Sequence, residues 1–330
     1  MLFRSPKIGQ ERPFASAEGT LTPLGPAANG EWIALHYGAR HPGRLVRVKL
    51  ADQAVILGEI SQHPAAEVIE PEELIAAEDF RWRSDDGLQI QGWLYRAQGK
   101  VLGTILHIHG GPTHHYEDDF MIQPQYYTRL GFNVLQPNYR GSTGFALDYQ
   151  ESIKREGWGG AEQADIRTGA EALIKAGIAE PGKIGITGTS YGGYSSWWAI
   201  TRFPPEIVKA AAPICGMTDL VVDYDTTRPD LRPYSEEMMG GTPTTAPQRF
   251  RDRSPIHFVG NIKGRLLIVQ GANDPNVTPQ NVADVRARQD ALKIPYEVLI
   301  FEDEGHGIGK PGNRAALYRR LAQFFAAAFQ

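Results

Sequence analysis

The sequence of 330 residues is poor in cysteine, in long apolar runs and in excess positive charge. Its single cysteine, Cys215, cannot form an internal disulfide, which favours a reducing compartment. No window approaches the roughly 18 apolar residues of a membrane span, and the first residues lack the apolar run of a signal peptide. The formal net charge is -4, with Lys and Arg scattered along the chain. We therefore expect a cytoplasmic protein with no nucleic-acid or membrane partner.

The chain changes character near residue 78. Before it, short β-like runs such as "EWIALHYGA" and "RLVRVKL" are separated by Gly, Pro and Asn turns, which predicts one small antiparallel sheet. After it, a hairpin is followed by alternating strands and helices, which is typical of a mostly parallel, doubly wound α/β sheet. We therefore divide the chain into a β-rich extension, residues 1–77, and an α/β domain, residues 78–330.

Five strands and three helices are the clearest elements of the α/β domain. The strands are expected in "GTILHIHG", "FNVLQPN", "GRLLIVQG" and "PYEVLIF". One helix is expected before Gly177, and the last helix should pack its apolar face against a sheet. A further strand, Lys183 to Thr187, leads to a helix that should start near Tyr194.

A serine lies at the turn between that strand and that helix. Gly188-Thr189-Ser190-Tyr191-Gly192 fits the pattern G-x-S-x-G, in which a nucleophile is held on a strained strand-to-helix turn. The flanking glycines remove side chains that would collide there. Because a serine is a weak nucleophile on its own, a base and a group that orients the base must also be present.

Two loops supply candidates for these roles. Asp274 follows the strand in "GRLLIVQG", and His306 follows the strand in "PYEVLIF". Both lie at carboxyl ends of strands, where open α/β sheets gather their ligands, and the order Ser, Asp, His is that of α/β-hydrolases. Asp303 and Glu302 are rivals for the acid because they are close to His306 in sequence; the position after a strand favours Asp274.

The stretch "HIHGGPTHH" provides candidate donors for an oxyanion. Gly110 and Gly111 let the backbone approach closely, so the Gly111 N–H can join the Tyr191 N–H in binding the oxygen of a tetrahedral intermediate.

Taken together, these motifs resemble the catalytic domain of the prolyl oligopeptidase family of serine peptidases, over residues 78 to 330. The resemblance implies an α/β-hydrolase fold and a serine peptidase or esterase without a cofactor, and the HGGP motif is most similar to acylaminoacyl peptidases. The motifs that carry it are His109-Gly110-Gly111-Pro112, Asn138-Tyr139-Arg140-Gly141-Ser142, Gly157-Trp158-Gly159, Gly188 to Tyr194, Asp274-Pro275-Asn276-Val277 and Gly305-His306-Gly307.

The same resemblance extends to the first 77 residues and to the substrate side of the site. The extension is similar to the last propeller strands and linker of family members, with room for about one blade. Asn276, which dipeptidyl peptidases share, is implied to contact a substrate carbonyl. An apolar acyl pocket is implied for Ile214, Met217, Leu220 and Val277, although apolar residues after a strand are also typical core residues.

Several alternatives stay open at this point. The substrate is expected to be a small peptide or an ester, so the chain could instead be a carboxylesterase on a peptidase fold. A metal-dependent hydrolase could use His107 and His109, which point to one face of a strand, followed by His114 and His115 and by the acidic residues 117–119. A binding module without chemistry is a third alternative. Residues 20 to 60 are expected to contribute to a homodimer contact, since a lone blade leaves free edges.

Overall fold

The computed structural model describes residues 2–4, 11–13, 19–50, 54–62 and 71–330. The chain divides into two compact units. The first comprises Met1–Glu78 together with Glu117–Gln125, and the second comprises Asp79–Tyr116 together with Tyr126–Gln330. Each unit is described separately below.

The strands of the described residues are numbered in chain order. They are β1 (Leu2–Arg4), β2 (Glu11–Pro13), β3 (Thr20–Pro26), β4 (Glu31–Gly38), β5 (His41–Leu50), β6 (Ala54–Gln62), β7 (Ala77–Arg83), β8 (Gln89–Tyr95), β9 (Gly103–Ile108), β10 (Phe132–Asn138), β11 (Ile184–Thr189), β12 (Ala210–Ile214), β13 (Arg265–Gly271) and β14 (Glu297–Phe301). The α-helices are α1 (Ile122–Arg129), α2 (Leu147–Glu151), α3 (Ala161–Lys175), α4 (Tyr191–Arg202), α5 (Leu220–Thr226), α6 (Arg232–Met239), α7 (Pro247–Asp252), α8 (Pro279–Leu292) and α9 (Pro311–Ala328).

The first unit is built on an antiparallel sheet in the order β3-β4-β5-β6. Alternate residues of β4 and β5 turn inward, and Leu21, Ala34, Val46 and Val48 form its small buried cluster. This sheet confirms the predicted β-rich amino-terminal extension. On β6, by contrast, Val55, Leu57 and Ile60 are exposed.

The segment Glu117–Gln125 clusters with the first unit, although it lies far along the sequence. Asp118 accepts hydrogen bonds from the backbone N–H groups of Gly19 (3.1 Å) and Ala39 (2.8 Å). Tyr37 donates its hydroxyl to Glu117 at 2.7 Å. The carboxylates of Glu117 and Asp118 thus accept hydrogen bonds from groups in the β3–β5 region. The sequence analysis considered them as metal ligands and did not predict this role.

The second unit contains the large mixed sheet, with the order β14-β13-β12-β11-β9-β10-β8-β7 among the described residues. The pairs from β14 through β9 to β10 are parallel, and β8 runs antiparallel to β10. Strands β9 and β10 are buried along their whole length, as expected for a sheet covered on both faces. The predicted α/β-hydrolase fold is therefore confirmed. Its parallel strands bring the loops after β9, β11, β13 and β14 to one edge.

The helices largely match the sequence patterns. Helix α3 ends before Gly177, whose φ of 69° suits glycine. Helix α9 buries an apolar face, as expected for the last helix; its buried residues include Leu317, Leu321, Phe324, Phe325 and Ala328. Helix α4 starts at Tyr191 rather than near Tyr194, which corrects the expected start. The two glycines after Tyr191 are already helical, and each packs closely against neighbouring backbone. In the described part of the chain, no helix has the length and apolar character that crossing a membrane requires.

Candidate active site

Ser190 sits on a strained turn between β11 and α4. Its φ of 62° and ψ of -118° are unusual for a residue with a side chain. The turn is fixed on both sides, because Ser190 N–H donates to the Ile214 carbonyl at 3.0 Å and the Ser190 carbonyl accepts from Tyr194 N–H at 2.9 Å. The geometry is that of a nucleophile elbow.

The glycines of the elbow are required by close backbone approach. A Cβ at Gly188 would lie 2.2 Å from the Ile108 carbonyl oxygen, and one at Gly192 would lie 2.1 Å from the same atom. A Cβ at Gly193 would lie 2.6 Å from the Ile214 oxygen. Since such distances are impossible for real side chains, the sequence-based explanation of these glycines is confirmed.

Asp274 is held in a loop directly after β13. Its carboxylate accepts hydrogen bonds from the backbone N–H groups of Asn276 (2.9 Å) and Val277 (3.0 Å), and from Gln270 Nε2 at 3.2 Å. It is also 2.9 to 3.0 Å from Nδ1 of His306. A carboxylate only accepts hydrogen bonds, so Nδ1 carries the proton and Nε2 is left as the basic nitrogen.

The rival acids lie elsewhere. Asp303 is exposed and accepts from Lys310 Nζ at 2.6 Å and from Asn313 at 2.9 Å. Glu302 is exposed as well. Asp274 is thus the carboxylate that the structure places against His306. Among the described residues, no hydrogen bond joins the Ser190 hydroxyl to His306, an arrangement that is common before substrate binds.

The loop that carries the acid and the loop that carries the histidine pack against each other. A Cβ at Gly271, where β13 ends, would lie 2.1 Å from the Gly305 oxygen, so the His306 loop crosses directly over that position. Cys215 lies beneath it, with its thiol 3.9 Å from the Gly305 carbonyl. Burial raises the pKa of this thiol to about 12, so the sole cysteine is a packed, unreactive group.

The candidate oxyanion loop lies beside the serine. A Cβ built on Gly110 would be 3.4 Å from Ser190 Cβ and 4.0 Å from its Oγ. Gly111 has a φ of 113°, and a Cβ there would lie 2.5 Å from Thr113 N. Tyr191 is the first residue of α4, where backbone N–H groups have no partner within the helix. Both predicted donors therefore adjoin the elbow.

Glu162 is a buried residue near this site that the sequence reasoning missed. It accepts hydrogen bonds from the Tyr191 hydroxyl (2.8 Å) and from the backbone N–H groups of Gly159 (2.6 Å) and Gly160 (2.9 Å). Burial raises its pKa to about 6. Glu162 therefore anchors the side chain of Tyr191, the residue whose N–H is the second predicted oxyanion donor. The Gly157-Trp158-Gly159 motif, which lies just before Glu162 in the sequence, was the feature from which its role could have been predicted.

The predicted substrate-side residues fall into two groups. Asn276 is half-buried, and its side-chain oxygen has no hydrogen-bond partner among the described residues. Met217, Leu220 and Val277 are buried and belong to the main apolar core of the second unit, whereas Ile214 is buried at the end of β12.

His107 and His109 are satisfied by protein groups. His107 Nδ1 is 3.0 Å from Gln136 Nε2, and His109 Nε2 is 2.9 Å from the Ser142 hydroxyl. Burial lowers the pKa of His107 to about 4 and that of His109 to about 3, so both are neutral. Within the described ranges, no group of three or more His, Cys, Asp or Glu side chains is arranged to hold a metal ion.

These features define a serine hydrolase of the α/β-hydrolase class. They are a strained serine, a histidine whose Nδ1 is hydrogen-bonded to a buried carboxylate, and a glycine loop at the same edge of the sheet. The model of the prolyl oligopeptidase family matches residues 118–330, and the chain belongs to this family.

Comparisons with individual proteins agree with this membership. The chain is similar to dipeptidyl aminopeptidase BIII of Pseudoxanthomonas mexicana, with 32% identity over 226 residues, which are 67% of this chain and 32% of that protein. It is also similar to the acylamino-acid-releasing enzyme of Arabidopsis thaliana, with 29% identity over 70% of this chain and 31% of that one. The chain thus spans about a third of the length of these curated relatives.

Solved structures share the fold over nearly the whole chain. An acylaminoacyl peptidase in complex with Z-Gly-Gly-Phe-chloromethyl ketone has a TM-score of 0.79 and 25% identity, over 94% of this chain and 50% of that one. A puromycin-hydrolyzing peptidase of Mycobacterium tuberculosis has a TM-score of 0.82 and 24% identity, over 99% of this chain and 50% of that one.

Proposed function

We propose that this chain cleaves peptide or ester acyl bonds through an acyl-enzyme formed on Ser190. Ser190 Oγ bonds to the substrate carbonyl carbon while His306 Nε2 takes the hydroxyl proton. Asp274 keeps the imidazole in the required tautomer and stabilises its charged form. The carbonyl oxygen, now negative, accepts hydrogen bonds from the N–H groups of Gly111 and Tyr191.

The second half of the reaction releases the acyl group. The protonated His306 gives its proton to the leaving amine or alcohol as the bond to the acyl carbon breaks. Water then attacks the acyl-enzyme, giving one proton to His306, and the acid product leaves as Ser190 regains its proton. The observation that carries this proposal is the hydrogen bond of His306 Nδ1 to Asp274, since it leaves Nε2 free to act as base.

The nucleophile is tested by one variant and one label. Ser190→Ala should lower ester hydrolysis by at least ~10³-fold without loss of the folded state, and a fluorophosphonate should label Ser190 alone. Thr189→Ala, one residue away in the same turn, is the matched control and should be labelled normally. A Ser190→Ala enzyme with near wild-type turnover would exclude this mechanism.

Within this class we place the chain with acylaminoacyl peptidases. The HGGP loop motif and the similarity to proteins named as acylamino-acid-releasing enzymes support this choice. A carboxylesterase is the second candidate. Acyl-amino-acid amides should be cleaved with kcat/KM no worse than ~10²-fold below matched esters, about 3 kcal/mol in barrier. If short esters turn over while every amide stays at background, the carboxylesterase is correct.

We also propose a homodimer contact in residues 20 to 60. Its support is the exposed apolar side chains of β6, the last strand of the described four-stranded sheet. Leu57→Glu should weaken a dimer measured by light scattering, and a wild-type monomer at all concentrations would refute the contact. The cytoplasmic location stays a prediction from the sequence.

A further inference from the structure

A buried carboxyl group lies on the helix that carries one of the predicted pocket residues. Helix α5 starts at Leu220, and its buried residues are Leu220 and Asp223. Residues three apart share one face of a helix, so Asp223 is on the same face as Leu220. No motif in the sequence drew attention to Asp223.

Hydrogen bonds tie this helix to the segment that follows the predicted acid. Thr218 N–H donates to Asn281 Oδ1 at 3.0 Å, and the Thr218 hydroxyl donates to the Asn281 carbonyl at 2.9 Å. At the other end of α5, the hydroxyls of Thr226 and Thr278 are 2.6 Å apart. Thr278 directly follows Val277, the other predicted wall of the acyl pocket. Asp223 therefore lies on the helix that these hydrogen bonds join to the segment after Val277.

Among the described residues, no basic side chain is paired with Asp223. Only 6% of the residue is exposed, and its Oδ1 has no hydrogen-bond partner among the described residues. The side-chain amide of Asn281 is close to Asp223 and favours the ionised form of Asp223. Its Nδ2, however, has no well-aligned hydrogen-bond partner among the described residues. The charged groups that act on Asp223 are the carboxylates of Asp274 and Asp219. Desolvation, with the Asp274 charge, raises the pKa of Asp223 to about 8.

Burying an ionised carboxylate costs free energy unless a cation or hydrogen-bond donors compensate its charge. Proteins normally pair a buried carboxylate with a cation or with several hydrogen-bond donors. The apolar residues Leu220 and Val277 nearby suit an aliphatic chain, and a long chain with a terminal ammonium can bury its methylenes while presenting its charge. A bound ligand of this kind would supply both missing elements.

We propose that Asp223 determines substrate specificity by binding a primary ammonium group at the end of an aliphatic acyl side chain, as in a lysyl residue. The proposal rests on the proposed function, since it names the substrate class of that site. It assigns Asp223 a contact with the substrate side chain and no part in the bond-breaking steps.

The first test compares two substrates that differ in one terminal group. N-acetyl-lysine p-nitroanilide is set against its isostere in which a methyl group replaces the ammonium. The wild-type enzyme should prefer the lysine substrate by at least about tenfold in kcat/KM, as expected for one charged hydrogen bond. Asp223→Asn should abolish this preference, whereas Asp225→Asn, an exposed acid on the same helix, should keep it. No preference in the wild type, or one that survives in Asp223→Asn, would overturn the proposal.

The preference should also depend on pH. Binding the ammonium requires ionised Asp223, whose pKa is about 8, while the ammonium itself stays charged until about pH 10. The ratio of the two kcat/KM values should therefore rise between pH 6.5 and pH 8.5, with the triad's own titration cancelling. A ratio that is flat over this range contradicts the assignment. A free α-amine substrate, leucine p-nitroanilide, should show no dependence on Asp223; if it does, the recognised ammonium is the N-terminus.

A binding measurement separates this proposal from the catalytic one. Ser190→Ala and the double variant Ser190→Ala/Asp223→Asn are titrated calorimetrically with n-pentylammonium and with n-pentanol. Pentylammonium should bind the single variant at least about tenfold more tightly than the double variant, and pentanol should bind both equally. Equal binding of pentylammonium refutes the proposal. Asp223-dependent binding without any ester or amide turnover would instead refute the proposed function alone.

Discussion

Replacing Asp274 with asparagine tests the proposed mechanism most directly. Asp274 Oδ1 accepts the backbone N–H groups of Asn276 and Val277, and these donors cannot be satisfied by an amide NH₂. The asparagine must therefore keep its oxygen on that side and turn its NH₂ toward His306. Reversing the amide would bury two unsatisfied donors, at about 1–3 kcal/mol each.

That orientation has a defined chemical consequence. An NH₂ group facing His306 Nδ1 forces Nδ1 to accept, so the ring proton moves to Nε2. An imidazole protonated at Nε2 cannot take the proton of the Ser190 hydroxyl. In a well-studied triad this tautomer error lowers kcat by ~10⁴-fold, about 5.5 kcal/mol at about 1.36 kcal/mol per tenfold. The same order of loss is expected here, with KM little changed.

The assay is hydrolysis of a short-chain p-nitrophenyl ester at neutral pH, with urea denaturation to confirm that the variant folds. Asp303→Asn is the matched control because Asp303 is exposed and bonds Lys310 rather than His306. It should retain wild-type turnover. An Asp274→Asn enzyme that keeps more than about a tenth of the wild-type kcat/KM would refute the tautomer argument, and a large loss in Asp303→Asn would move the acid assignment to Asp303.

Three further predictions concern the surroundings of the site. Glu162→Gln should lower the free energy of unfolding by about 1–3 kcal/mol in urea, because an amide nitrogen would face the Gly160 N–H. Burial raises the pKa of Glu162 from 4.5 to about 6. The stability that comes from protonating Glu162 is therefore fully present below pH 4.5 and is lost as the pH rises through about 6. Glu162→Gln should remove this part of the pH dependence of the free energy of unfolding. Gly193→Ala should abolish ester hydrolysis and soluble expression together, since its Cβ would lie 2.6 Å from the Ile214 oxygen, whereas Gly312→Ala, with nothing within 4 Å, should match the wild type in both. Prolonged chelation should leave turnover unchanged, because backbone donors polarise the carbonyl in the proposed mechanism; activity that is lost and then restored by zinc would contradict it.

The sequence predicted those features that depend on local pattern. The strand before Ser190 and the loops of Asp274 and His306 were placed correctly because each short apolar run is followed by a loop that contains glycine. The hydrogen bond between Asp274 and His306 was expected from strand order and is present. The catalytic roles of these residues stay predictions until the variants are measured.

Other features depend on long-range packing, which a single sequence does not encode in any short pattern. Helix α4 starts at Tyr191, although Gly192 and Gly193 are typical turn residues in a sequence. These glycines are needed for close contact with neighbouring backbone, which the sequence pattern does not show. The clustering of Glu117–Gln125 with the first unit depends on hydrogen bonds to residues about 80 to 100 positions away. Glu162 and Asp223 look like ordinary helix surface residues, and only burial distinguishes them.

The buried charges of the second unit show why Asp223 calls for a ligand. Arg140 donates to Asp165 at 2.8 to 2.9 Å through its side chain and backbone. Glu162 accepts two backbone N–H groups and a tyrosine hydroxyl, and Asp274 accepts two backbone N–H groups and an imidazole. Each of these charges is compensated within the chain, as burial in a low dielectric demands. Asp223 is buried to a similar degree, but the Asn281 amide is the one donor that favours its ionised form, and its Oδ1 has no hydrogen-bond partner among the described residues. A proton compensates Asp223 when the site is empty, in agreement with its raised pKa, and in our proposal a cationic substrate group does so when the site is filled.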